Sequence, residues 1–303
     1  MAKIYPKIYF EDKLVDSGEA TLHVASSAVL YGLSVYTVFN VHYDDDRYFA
    51  FRLQDHFRRL TDSCRIIGID TFETEWTLEK FAEAVRQLFK ANSPSETTFV
   101  RASVHVNELV PGTRSRGLKT SLSLFIYEAA PIIPQDGTRL KTSVWRRTAD
   151  NAIPSRAKVN GAYVNSVLAK QDAIDSGYDD CIFLDSNGHV CELSAANIFL
   201  VRGGVLITPS STSDILEGIN RRTIIELARD SGIPVQERPV DLTELYIADE
   251  VFTSGTSAFV TPVIEVDSRH IGNESMGPIT AQLRLAHEQA LSTPSDKQWL
   301  TEL

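Results

Sequence analysis

Apolar residues change their spacing repeatedly along this chain, and each change predicts an element. "KIYFEDKLVD" (7–16) alternates apolar and polar positions around a polar centre, which predicts two short strands joined at Asp12-Lys13. "YGLSVYTVFNVHY" (31–43), rich in Val, Tyr and Phe, predicts a buried strand, and "DDDRYFAFRL" (44–53) turns back into another. The period then lengthens. Phe57, Leu60, Cys64 and Ile67 recur at helical spacing on one face. Thr77 to Asn92 predicts a second helix with Thr77 as N-cap and Phe81, Val85, Leu88 and Phe89 facing inward. "TTFVRASVHV" (97–106) and "TSLSLFIYEA" (120–129) return to strand character.

"APIIPQDGTR" (130–139) carries two prolines and a glycine and follows neither period, so it marks a boundary. After it come a strand in "KTSVWRR" (141–147), a helix over about 160–176 closed by Gly177, and a meander. The meander reads "DDCIFLD" (179–185), "HVCELSAANIFLV" (189–201) and "VLITP" (205–209). A helix with Ile224, Leu227 and Ala228 on its apolar face begins near Asn220, an ordinary N-terminus capped by Asn220 or Asp214 unless its start holds an anion. "EVFTSGTSAFVTPV" (250–263) and a terminal helix from about Pro278 complete the pattern. The sum is two α+β domains, with a linker at 131–140.

Composition narrows the class. The chain has 303 residues, 43% hydrophobic and 23% charged, the balance of a soluble globular protein. A net charge of −10 argues against a nucleic-acid partner, whose phosphates demand clustered Lys and Arg. The first residues lack the apolar core of a signal peptide, and no run of about 18 apolar residues predicts a membrane span. There are three cysteines, Cys64, Cys181 and Cys191. A two-residue turn at Asn187-Gly188 would set Ser186 opposite His189 and Asp185 opposite Val190, leaving Cys181 and Cys191 out of register. All three read as buried free thiols of a reducing, cytoplasmic setting, and no Cys/His spacing resembles a zinc site.

Several residues could carry chemistry. Lys158 follows a strand and precedes the small-residue run "VNGAY", which suits a lysine in a cleft or a surface charge at a helix start. Glu192 lies between apolar residues of a predicted core strand. There it needs a cationic partner, unless the strand is an edge with Glu192 in water. "ILEGINRRT" places Gly218 and Asn220 at a helix start, where backbone N–H groups and the dipole attract anions. "TSGTSA" (253–258) is a hydroxyl-rich turn that could hold phosphate or carboxylate, or simply face solvent. Arg59 stands near the apolar stripe of "HFRRL". A lysine, an acid and three anion-holding elements match the needs of pyridoxal 5'-phosphate.

"NAIPSRAKVNGAYVNSVLAKQDAIDSGYDD", "LDSNGHVCELSAANIFLVRGGVLITP", "LEGINRRTIIELA" and "LYIADEVFTSGTSAFVTPV" occur in this order between Asn151 and Val263. In them the chain resembles the fold-type IV pyridoxal-phosphate aminotransferases, most closely branched-chain amino-acid aminotransferases. The resemblance implies a two-domain fold like that of D-amino-acid aminotransferase. A small α/β domain spans 1–130, and a large cofactor-binding domain spans 141–303. It gives Lys158 the role of aldimine lysine, Glu192 that of acid for the ring nitrogen, and Tyr163 that of partner to the ring hydroxyl oxygen. Arg59, Ile219, Asn220 and Thr256 would hold the phosphate, and Gly218, Gly255, Ala195, Ala196, Asn197 and Leu216 would be further cofactor-binding residues. Asn220 stands where the family usually has Thr. Lys170 matches no functional position and reads as a surface charge.

For substrate, the resemblance points to Tyr31, Tyr36, Phe99, Arg101, Thr256 and Ser257. Where branched-chain enzymes typically have "VFEGIR", this chain has "VYTVFN" (35–40), and Phe99 stands where Tyr is frequent. "YTVFNVH" is more similar to (R)-selective amine transaminases and partly to D-amino-acid transaminases. Arg114 and Arg116 in "PGTRSRG" could clamp a carboxylate or remain solvated loop charges. The expected activity moves an amino group from a hydrophobic or branched-chain amino acid to 2-oxoglutarate, with no metal. The alternatives are an (R)-amine or D-amino-acid transaminase using pyruvate, an aminodeoxychorismate lyase, and a non-catalytic binder that keeps the fold. The intact Lys158, Tyr163 and Glu192 speak against the binder. The resemblance also implies a homodimer or higher homo-oligomer.

Overall fold

In the computed structural model, which describes residues 3–295 and 297–303, the chain divides into two units. One holds the chain up to Ala130 with Ala157–Ala162 and Ala290–Leu303, and the other holds Pro131–Arg156 and Tyr163–Gln289. The last two segments of the first unit lie in what the sequence reading gives as the second domain. They join the first unit through strand pairing at long sequence separation, which local periodicity does not reveal.

The first unit begins with β1 (Lys7–Phe10) and β2 (Lys13–Asp16). Phe10 pairs with Lys13, so the turn is Glu11-Asp12, one position earlier than expected. Both turn residues have positive φ, 49° and 63°, as a two-residue hairpin matched to strand twist requires. After α1 (Ser27–Leu30) come β3 (Ser34–Asp44) and β4 (Arg47–Phe51). Helices α2 (Leu53–Ile66), α3 (Phe72–Glu75) and α4 (Leu78–Asn92) follow, then β5 (Thr98–Val106) and β6 (Thr120–Glu128). The sheet order is Leu300–Glu302, β4, β3, β5, β6, β1, β2. The predicted stripes meet the sheet: Leu60 and Cys64 of α2, and Phe81, Val85, Leu88 and Phe89 of α4, pack on Val35, Phe39, Val100, Ala102 and Val104. Thr77 caps α4 by accepting from Lys80 N at 3.2 Å.

The second unit contains β7 (Thr138–Thr142), α5 (Tyr163–Asp175), β8 (Asp180–Leu184), β9 (Val190–Leu193) and β10 (Asn197–Arg202). It continues with β11 (Val205–Thr208), α6 (Ile219–Asp230), β12 (Val235–Glu237) and α7 (Leu242–Tyr246). Then come β13 (Glu250–Gly255), β14 (Phe259–Val266), β15 (Arg269–His270) and α8 (Pro278–Ser292). Strands β10, β13, β14, β7, β8 and β9 pair in sequence, and β9 returns to β10, so the sheet closes on itself. The pleat explains why "NIFLV" is apolar at every other position on both faces. Ile198 and Leu200 share one core with Ile182, Leu193 and Val263, whereas Phe199 and Val201 pack with Phe252 against Ile224 and Ala228 of α6. The Phe199 and Phe252 rings stack at 5.0 Å, an arrangement worth about 0.5–1.5 kcal/mol beyond burial.

Three local expectations are corrected. The strand expected over 141–147 is instead β7, which starts inside the expected linker because its parallel partners β8 and β14 hold Thr138–Thr142. "HVCELSAANIFLV" is two strands, turned where Leu193 N bonds Ala196 O at 2.8 Å. In the β8–β9 hairpin Leu184, not Asp185, faces Val190. The Asp185 carboxylate accepts from Asn187 N and His189 N at 2.8 and 2.9 Å, which builds a wider loop than a two-residue turn. Cys64, Cys181 and Cys191 are free and buried, and burial pushes all three thiols up. Among the described residues no helix is long and apolar enough to cross a membrane.

Candidate active site

In the first unit, Lys158 lies in a segment laid along β3 where β4 does not reach. Tyr36 N donates to Lys158 O at 3.0 Å and Asn160 N donates to Ser34 O at 2.9 Å, around a bridge between Val35 and Val159. Extended chain alternates its side chains, so Ala157 and Val159 enter the helix-side core and Lys158 turns to the other face. Its Nζ stands 4.8 Å from the centroid of the Tyr36 ring. The Arg101 guanidinium stands 3.6 Å from the same ring and donates to Asn160 Oδ1 at 2.6 Å. The small-residue run after Lys158 has a steric cause. Gly32 has φ +64°, and a Cβ there would lie 2.9 Å from Gly161 Cα.

Helix α2 fixes the same segment from the helix side. Lys158 N donates to Ser63 Oγ at 3.1 Å, and Ser63 Oγ donates to Arg59 O at 2.7 Å. Arg59 Nη2 donates to Thr37 Oγ1 at 2.9 Å, and His56 Nδ1 lies 2.7 Å from that oxygen. Phe99 is fully buried against Tyr127, ring centroids 5.6 Å apart, whereas Tyr31 is about half exposed at the end of α1. Arg114 and Arg116 are exposed on the β5–β6 loop.

In the second unit Glu192 sits at the β9–β10 junction, opposite Asn197, and is 5% exposed. Its Oε2 accepts from Asn197 Nδ2 at 3.0 Å and from Leu216 N at 3.1 Å. Its Oε1 is 2.8 Å from Arg147 Nη2. Arg147 is the cationic partner the sequence reading demands without naming. Its backbone N bonds Leu184 O and its Nε donates to Asp214 O, which fixes the guanidinium. No periodic or motif signal marks Arg147, because the pairing joins a loop to a distant strand. Lys170 is not a plain surface charge. It lies 3.2 Å from the buried carboxylate of Asp180.

The start of α6 is open to an anion. Gly218, rather than Asn220 or Asp214, is its N-cap, with extended φ −65° and ψ 135° and no side-chain cap. Its first turn holds no acid. A Cβ on Gly218 would stand 2.1 Å from Asn197 Oδ1, so only glycine lets the helix start approach the residue that holds Glu192. Asn220 Nδ2 donates to Thr256 Oγ1 at 3.2 Å. Next to Thr256, a Cβ on Gly255 would lie 3.4 Å from both Ala195 O and Ala196 Cβ, and Ser257 O accepts from Ile132 N at 3.1 Å. Tyr163 opens α5 and is half-buried. The structure therefore groups Lys158, Tyr36, Arg101 and the α2 residues in one unit. In the other it groups Glu192, Asn197 and Leu216, and Asn220 with Thr256. The donor set suits a phosphorylated pyridine: a buried carboxylate held by three donors, and an uncapped helix start without acids.

The chain belongs to the class IV aminotransferases, whose family model, Amino-transferase class IV, matches residues 34–266. It is 35% identical over 300 residues to the branched-chain-amino-acid aminotransferase of Pseudomonas aeruginosa, covering 97% of this chain and 96% of that one. Its fold matches the crystal structure of the Thermoproteus uzoniensis branched-chain aminotransferase with norvaline at TM-score 0.93 and 35% identity, over 98% of this chain and 99% of that one. The branched-chain amino acid aminotransferase of Thermobaculum terrenum in its PLP form matches at TM-score 0.90 and 30% identity, over 99% and 98% of the two chains.

Proposed function

We infer that the protein transfers the amino group of leucine, isoleucine or valine to 2-oxoglutarate, with pyridoxal 5'-phosphate as cofactor. The observation that carries this reading is Lys158, whose backbone is fixed from both β3 and α2 while its amine lies on the opposite face, over Tyr36. A lysine so held can anchor an aldehyde and then serve as base once a substrate amine displaces it. When bound, the cofactor supplies an electron sink for the pair left at the substrate Cα. Lys158 Nζ takes the proton from that Cα. Glu192, its carboxylate held by three donors, would pair with the ring nitrogen, and Tyr163 would hold the ring hydroxyl oxygen. By the family resemblance the phosphate would be held by Arg59, by the backbone N–H groups of Ile219 and Asn220, and by the Thr256 hydroxyl, beside Gly218 and Gly255. By the same resemblance Tyr31, Tyr36, Phe99, Arg101 and Ser257 would contact the substrate, and Arg114 and Arg116 would bind the oxo-acid carboxylate. The buried free thiols support a cytoplasmic enzyme, and we take it to act as a homodimer.

One feature of β3 favours a broader donor range. Val38, paired with Arg101, and Asn40, paired with Phe99, put no charge on that face. Fewer buried polar groups mean weaker rejection of donors that cannot satisfy them. Initial rates with L-Leu, L-Ile and L-Val should exceed those with an (R)-1-arylethylamine, which should still react. Arg114→Ala and Arg116→Ala should each raise KM for 2-oxoglutarate about tenfold, the loss of one charged contact. Activity confined to (R)-amines or D-amino acids would overturn the branched-chain reading.

A further inference from the structure

Behind the start of α6 lies a histidine that transamination does not use. His287, on α8, is 2% exposed, and its Nε2 lies 2.9 Å from Asn220 Oδ1. The other end of that amide donates to Thr256 Oγ1. With the Asn220 amide oxygen toward His287, the direction of each bond follows. An amide oxygen only accepts, so His287 Nε2 carries the hydrogen. With Oδ1 held by His287, the amide presents Nδ2 to Thr256. The Thr256 oxygen then accepts, and its own hydrogen is directed away from Asn220. If the amide flipped, its oxygen would face Thr256 and draw that hydrogen toward α6.

We propose that His287 is a positioning residue for anion binding: by locking the Asn220 amide it sets the direction in which the Thr256 hydroxyl donates to the cofactor phosphate. The inference rests on the reading of Asn220 and Thr256 as part of the phosphate site. It concerns this chain's own combination of Asn220 with a buried histidine on another helix. Its signature is phosphate dependence. A purely packing role for His287 would affect every ligand alike, whereas a locked donor matters only where there is a phosphate to receive it.

The test measures equilibrium binding of pyridoxal 5'-phosphate and of pyridoxal to the apo-protein prepared from holoenzyme, with the 31P resonance of the bound cofactor recorded alongside. His287→Leu should bind pyridoxal 5'-phosphate about tenfold more weakly, the loss of one hydrogen bond to a charged group. It should bind pyridoxal as the parent does, and its 31P resonance should shift. His287→Gln, which keeps an N–H donor, should restore most of the affinity. In an Asn220→Ala background His287→Leu should have no further effect. His287→Phe, which keeps the ring and removes the donor, carries the same expectation if the Leu variant does not fold. Equal affinity for the phosphorylated cofactor in parent and variant, an equal loss for both ligands, or a loss that persists with Asn220→Ala would overturn the proposal. Arg59→Ala and Thr256→Ala separate the two levels. If neither weakens cofactor binding, the phosphate-site reading itself fails; if both do and His287→Leu does not, only the role of His287 fails.

Discussion

Glu192 and Arg147 bear opposite charges 2.8 Å apart, with side chains 7% and 13% exposed. Such a pair contributes little when whole and much when broken, because removing one partner leaves a buried charge uncompensated. Glu192→Gln therefore has two separable consequences. Turnover should fall roughly a hundredfold or more, since the charge proposed to pair with the ring nitrogen is gone. Unfolding free energy should drop by roughly 3 kcal/mol, since Arg147 is left behind. Adding Arg147→Met should return most of the stability and none of the turnover. Denaturant unfolding and steady-state rates on the two variants check this, and a Glu192→Gln protein with parental turnover would refute the role of the carboxylate. The need for a cation beside Glu192 is legible in the sequence, from an acid set among apolar residues. Its identity is not, because Arg147 reaches Glu192 through tertiary folding alone.

At the scale of elements, β5 has two unlike faces. Val100, Ala102 and Val104 enter the core, while Arg101 and His105 share the other face. His105 lies 2.9 Å from Ser123 Oγ. Burial, reinforced by the Arg101 charge, pushes its pKa down to about 4. Between about 4 and the ordinary histidine value near 6.5 the unfolded chain binds more protons than the folded one, so stability rises with pH across that window. Lowering the pH from about 7.5 to about 5 should remove roughly 2 kcal/mol through this group. His105→Gln should flatten that dependence in urea unfolding at the two pH values, and an unchanged slope would contradict it. The same scale shows what the sequence reveals. The stripes of α2 and α4 and the Thr77 cap are plain, because a helix writes its buried face into its own spacing. The break between β9 and β10 is not, because the turn at Ser194, Ala195 and Ala196 contains neither glycine nor proline. The offset of β7 is equally silent, since its parallel partners come later in the chain.

For the whole molecule, the break in periodicity near residue 131 is readable in the sequence, as an aperiodic stretch with two prolines. The return of Ala157–Ala162 to the first unit is not, yet it is what places Lys158 on β3. "VNGAY" signals a special site; only the approach of Gly32 to Gly161 says why its residues are small. The proposed transamination depends on that one lysine being the covalent anchor. The most direct measurement is borohydride reduction of the holoenzyme followed by proteolysis and mass mapping. Lys158 is predicted to carry the pyridoxyl group, and the label should be lost when an amino donor converts the enzyme before reduction. A label on Lys170, or on no lysine, would contradict the account.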